Sequence, residues 1–205
     1  MSHPTDATAR GNLYGFFSRL FVKELDAAAV ELLWSPLGHA LLPRFYAGDE
    51  AKHLADADAR VRVFDADFVH LTVVNVVPYA SFYRRDDARV ESGGANPISD
   101  WLSQYGFEVD LVAARSLSQD HIGIVLEVMA TLCVHEAEAE ARPDAEYAAH
   151  IRGLQREFLR EHVLSWAPVY LFAVERSAHT ALYREAAEAC VAWLGADFQA
   201  LTDRA

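Results

Sequence analysis

Gln119-Asp120-His121-Ile122-Gly123-Ile124-Val125-Leu126-Glu127-Val128-Met129 sets an acid and an imidazole side by side ahead of an apolar run that holds a single carboxylate. Ile122, Leu126, Met129 and Cys133 recur at helical spacing, and Ile124, Val125, Val128 and Leu132 widen the stripe around most of the circumference. The spacing predicts a central, buried helix. Asp120, short and polar just before the periodic run, is placed to accept a hydrogen bond from a first-turn N–H of that helix.

Outward from this run, nearly every segment repeats apolar residues at i, i+3 and i+4, and alternation at period two is scarce. The fold class expected is all-α, about nine helices. A first helix spans about Asp6 to Val22 and buries Leu13, Phe16, Phe17, Leu20 and Phe21; a second spans about Asp26 to Trp34, and Ser35-Pro36 opens a short third. Gly48-Asp49 leads into a long fourth, about Asp49 to Val74, with Leu54, Val61, Phe64, Phe68 and Leu71 inward. Pro78 stops it, and the aromatic-rich stretch 78–87 precedes a loop, Ser92 to Pro97. A fifth helix runs from about Ile98 to Tyr105 with Trp101 inward, and residues 106–119 are irregular.

The central sixth helix is expected to fray among Glu136 to Glu140, Pro143 to open a seventh that carries Tyr147, Ile151, Leu154, Phe158 and His162 on one face, and Trp166-Ala167-Pro168 to break it. Two more follow, about Pro168 to Arg176 and Thr180 to Leu194. This organisation reads as a single domain, 1–205, in two lobes, about 1–115 and about 120–205, joined at a hinge near Gln119 to His121.

A chain of 205 residues buries about 70% of its extended surface without staples. Its two cysteines, Cys133 and Cys190, lie far apart in apolar runs, as small buried hydrophobes in a reducing compartment. Met1 to Arg10 is polar and lacks the basic start and apolar core of a secretory signal, so a cytoplasmic location is expected. The apolar stretches 68–77 and 122–134 are too short or interrupted for stable membrane insertion. A net charge of −12 repels phosphate backbones and argues against nucleic acid as a partner.

Catalytic signatures are absent. Nucleophile-elbow, zinc-protease and phosphate-loop patterns do not occur, and Asp67-x-x-His70 and Glu146-x-x-x-His150 are isolated pairs, so no metal is expected. Asp120 and His121 are adjacent, and adjacent residues on a helix do not face each other, which disfavours a relay between them. Arg84-Arg85 is followed at once by two aspartates and reads as a locally neutralised surface.

Three patches in order nevertheless resemble the cytoplasmic chaperones that mature molybdenum-containing redox enzymes, a family that includes the trimethylamine N-oxide reductase, dimethyl sulfoxide reductase and nitrate reductase assembly chaperones. Phe68-Val69-His70-Leu71-Thr72 with Pro78-Tyr79-Ala80-Ser81-Phe82-Tyr83 is similar to the family's helix end, proline and S-x-Y segment. Gln119-Asp120-His121-Ile122 with Leu126-Glu127-Val128-Met129 is similar to its P-x-D-H hinge and L-E-F-M helix, although Ser118 and Gln119 stand where the proline is expected. Phe158, His162 and Trp166 match its F-x-x-x-H-x-x-x-W segment.

The resemblance implies a non-enzymatic assembly chaperone that binds the twin-arginine signal peptide of a molybdopterin-containing oxidoreductase subunit, assists cofactor insertion and delays export. Its site would comprise Asp120, His121 and Glu127 as polar contacts and hinge, with Tyr79, Ser81, Phe82, Tyr83, Trp101 and Trp166 beside them. Carboxylates suit guanidinium groups, and an aromatic or aliphatic groove suits the apolar part of a leader. No cofactor of its own is expected; transient contact with molybdopterin or a guanine nucleotide has no motif here. Monomers and domain-swapped dimers are both compatible with a hinge. The competing reading is a small helical metal-dependent enzyme or regulator using Asp120 and His121.

Overall fold

The computed structural model describes residues 6–54, 56–91, 96–142 and 144–204. Among them it holds twelve α-helices and no strand: α1 Ala7–Val22, α2 Ala27–Leu33, α3 Pro36–Leu41, α4 Pro43–Ala47, α5 Asp49–His53, α6 Ala57–Val69, α7 Ala80–Arg84, α8 Pro97–Gln104, α9 Ile122–Ala141, α10 Ala145–Phe158, α11 Ala167–Ser177 and α12 Ala181–Asp203. Two π-helical turns, His70–Asn75 and Leu159–Val163, extend α6 and α10. The all-α class expected from periodicity is the class observed, with more and shorter helices near the N-terminus. No described helix is long and apolar enough to cross a membrane.

Local chemistry sets the boundaries. Asp6, Asp26, Asp56, Asn96, Asp144 and Thr180 each turn a side-chain oxygen onto first-turn amides. Asp56 explains why the long fourth helix of the sequence reading is two. Its carboxylate takes the amides of Asp58 and Ala59, and Arg60 Nε donates to the Leu54 carbonyl at 2.6 Å, so the backbone groups that would carry the helix through are already bonded. Met1 to Thr5, Ser92 to Ala95 of the expected loop, and Pro143, expected to open the seventh helix, lie outside the described residues; α10 starts at Ala145 under an Asp144 cap.

Helix α9 is the spine, buried along most of its length, with α1 along one side and α10 along another. Glycine permits the approach of α1: a Cβ on Gly123 would lie 2.6 Å from Val22 Cα, and one on Gly11 would lie 3.2 Å from Cys133 Cβ. Ser18 Oγ donates to the Gly123 carbonyl at 2.8 Å across the same contact. The apolar core is one cluster that runs from Leu13 on α1 to Leu201 on α12. Cys133 and Cys190 are free and buried in it, and burial pushes the Cys133 thiol up to about 12 and the Cys190 thiol up as well, which keeps both protonated.

A buried ion network runs through this core. Arg10, 1% exposed, donates to Asp197 Oδ1 at 2.7 Å, Asp197 Oδ2 at 3.0 Å and Glu136 Oε2 at 2.7 Å, and also to Gln155. Tyr14 donates to Asp197 and Arg152 to Glu136, closing the set across α1, α9, α10 and α12. The network corrects two expectations: α9 does not fray at Glu136 but continues to Ala141, and the last helix runs past Leu194 to Asp203 because Asp197 is held inside.

Removing the guanidinium strands two buried carboxylates. Arg10→Met is therefore expected to lose about 3–5 kcal/mol of stability, read as a fall in the urea midpoint. Gly123→Ala is expected to cost about 1–3 kcal/mol by forcing α1 off α9, and the same denaturation curves check it.

Candidate functional site

Pro78 ends the irregular chain after the first π turn, and the next residues pair with the start of α9. Tyr79 and His121 form an antiparallel bridge, in which the Ala80 amide donates to the Asp120 carbonyl at 3.1 Å and the Ile122 amide to the Pro78 carbonyl at 2.9 Å. The Tyr79 ring meets the His121 ring edge-on at 5.1 Å, and its hydroxyl accepts from the Leu117 amide at 3.1 Å. Two stretches remote in sequence thus share one floor.

Asp120 does not cap the helix it precedes. His121, at extended backbone angles, is the N-cap of α9, and its Nδ1 accepts the Gly123 amide at 3.1 Å. Asp120 lies one residue outside and turns the other way, so its Oδ2 accepts the Ser81 amide in the first turn of α7 at 2.6 Å. The expected cap is real chemistry on the wrong helix. Asp120 is 2% exposed, and its Oδ1 has no hydrogen-bond partner among the described residues. Such an oxygen costs free energy unless a donor reaches it. Asp120 borders a pocket of about 150 Å³, walled also by Arg84, Arg85, Glu91 and His162.

The expected site residues separate into four sets. Tyr79, Ser81, Asp120 and His121 come together at the bridge. Phe82 and Tyr83 follow on α7, half-buried, with Tyr83 stacked on Trp166 at 5.7 Å. Trp101 and Trp166 face inward: Trp166 is 1% exposed and donates Nε1 to the His162 carbonyl, and Trp101, 6% exposed, packs on Phe158 at 4.5 Å. They support the site from beneath and offer no open ring face. Glu127 lies apart from Asp120, exposed on α9 and bordering a broader groove of about 1180 Å³ along α1 and α9. Seven residues would set Asp120 and Glu127 on one helix face, but the extended cap takes Asp120 out of that register.

Arg84, Glu91 and His162 belong to the pocket and were missed as site residues. The aspartates after Arg84-Arg85 disguised the pair, and Glu91 carried no pattern. Burial, with the charge of Arg84, lowers the His162 pKa below its usual range. Asp67 and His70 do not form a ligand pair: Asp67 accepts from the His179 and Thr180 amides and from Thr180 Oγ1 at the start of α12. No group of three or more metal-capable side chains occurs among the described residues.

Burial lowers the pKa of His121 to about 4, against a smaller raising effect of the Asp120 charge. The unfolded chain binds this proton near pH 6.5 and the folded chain does not until about pH 4. Stability contributed by neutral His121 is complete above pH 6.5 and is lost as pH falls toward 4, by roughly 3 kcal/mol at most. His121→Asn, which keeps a cap acceptor, is expected to flatten the stability profile in that window, measured by urea unfolding at successive pH values.

The family model described as nitrate reductase delta subunit matches residues 17–171, which contain the bridge, the pocket and the spine helix. The chain is similar to the chaperone protein TorD of Psychrobacter sp. (strain PRwf-1), 27% identical over 97% of this chain and 94% of that protein. It is similar also to the chaperone protein TorD of Vibrio vulnificus (strain YJ016), 28% identical over 78% of this chain and 80% of that one, and to that of Salmonella bongori, 24% identical over 98% and 94%. With the matched span covering most of its length, the chain belongs to the nitrate reductase delta subunit family, alongside the TorD-type maturation chaperones.

Proposed function

We propose that this protein is a cytoplasmic assembly chaperone for a molybdopterin-containing oxidoreductase, and that it binds the twin-arginine leader of the catalytic subunit, holding back export while the cofactor is inserted. Family membership supports the chaperone role. The observation that carries the leader reading is the buried Asp120 oxygen without a donor at the wall of a small pocket. A guanidinium entering there supplies N–H groups and a counter-charge in one step, and a charged bond of this kind is stronger than one between neutral groups.

The groove along α1 and α9 suits the apolar part of such a leader. Val22, Val128, Val134 and Ala130 line it, with Glu108 and Glu127 at its border. In this reading the Tyr79–His121 bridge is the hinge between the two lobes expected from the sequence. Binding and release suffice for the role, and no bond in the partner is made or broken.

Titration calorimetry with a peptide of two consecutive arginines ahead of an apolar stretch tests the reading. Asp120→Asn keeps the Ser81 contact but removes the charge, and it is expected to weaken binding roughly tenfold. Affinity is expected to fall as salt rises, since part of the attraction is between carboxylate and guanidinium. Equal affinity of the variant and the wild type would sink the assigned contact.

A further inference from the structure

Arg84 and Arg85 stand together at the C-terminal end of α7, and both line the pocket beside Asp120. Arg85 is engaged by carboxylates: Nε and Nη2 donate to the two oxygens of Asp87 at 3.0 Å each, and Nη1 donates to Glu91 Oε2 at 3.0 Å. Arg84 makes no hydrogen bond or ion pair to a carboxylate among the described residues: its Nη1 donates to the Glu161 backbone carbonyl at 3.1 Å, and the Glu161 carboxyl, whose pKa is lowered first by its hydrogen bond from Arg160, also feels the Arg84 charge. One pocket is therefore lined by a residue whose buried carboxylate oxygen lacks a donor, Asp120, and by a guanidinium that hydrogen-bonds a backbone carbonyl, Arg84. Their positions are linked through α7. Arg84 follows Ser81 by three residues and so lies one turn on along the same face, and the Ser81 amide is the group that holds the other Asp120 oxygen.

Arg84 and Asp120 line the same pocket, so a move of the guanidinium from the Glu161 carbonyl toward the Asp120 carboxylate stays within it. The move gains a charge-assisted bond and loses hydration and rotamer freedom, so neither position dominates strongly. His162, on the same wall, has its pKa lowered by burial and by Arg84 and adds no second cation near neutral pH.

We propose that Arg84-Arg85 is a tethered stand-in for an incoming arginine pair: Arg85 occupies the outer carboxylates Asp87 and Glu91, and Arg84 closes over Asp120 until a partner's arginines displace it. This rests on the leader reading and adds a threshold to it. A single cation or a weakly basic segment does not displace both arginines, whereas two adjacent guanidinium groups replace both sets of bonds together.

Two measurements test it separately. In the peptide-free protein, NMR of the arginine side chains is expected to show the Arg84 guanidinium protons exchanging with water several-fold faster in Asp120→Asn than in the wild type; equal rates overturn the contact. In calorimetry with the same arginine-pair peptide, Arg84→Gln is expected to bind about threefold tighter, the factor for a site closed in about two of three molecules, and the gain is expected to vanish in the Asp120→Asn background. Arg84 is exposed, so the core is untouched. If the wild type binds and Arg84→Gln binds no tighter, the stand-in fails and the leader reading survives. If the NMR contact is present but neither protein binds the peptide, the leader reading fails and the stand-in with it.

Discussion

A guanidinium at 1% exposure has five N–H groups to satisfy and no water to do it, and in this molecule the answer to Arg10 orients four helices. Asp197 on α12, Glu136 on α9 and Gln155 on α10 each supply an acceptor, and α1 supplies the arginine itself. Apolar packing alone tolerates small slides between helices, whereas a planar fork held on three sides does not. The register of α9 is set at Glu136, and because the helix is continuous from there back to Ile122, the position of the Asp120–His121 start follows from it.

Much of this was legible before any coordinates. The all-α class, the buried run after His121, the opening of α3 at Ser35-Pro36 and the helix starts near Asp26 and Thr180 follow from local spacing, and local spacing is what helices obey. Arg10, Glu136 and Asp197 were not legible as a network. Their separations are 126 and 187 residues, and each alone looks like an ordinary solvated charge. The same reason hid the true helix end at Asp203, since a polar residue at position 197 weakens any apolar stripe.

The structure brings Tyr79, Ser81, Asp120 and His121 together and turns Asp120 away from the helix it was expected to cap. Asp120 is short, acidic and next to a helix start, which is what a cap requires, but one extended residue between it and α9 redirects it to α7. Trp101 and Trp166 show the opposite limit. An indole suits a groove and a core alike, and only the positions of Phe158 and Tyr83 decide that these two are buried. Glu127, read as a lone carboxylate in a buried run, is exposed on α9 and borders a different concavity from Asp120.

The bond from the Ser81 amide to Asp120 spans 39 residues of chain, and it bears on when the protein becomes competent. On the ribosome, α7 emerges long before the residue that completes its first turn, and Asp120 is positioned only once α9 has formed behind it. Closing so long a loop is entropically unfavourable until the spine helix finds α1 and α10. The pocket therefore arises late, as a product of the finished core, and a partly made chain presents no Asp120 wall.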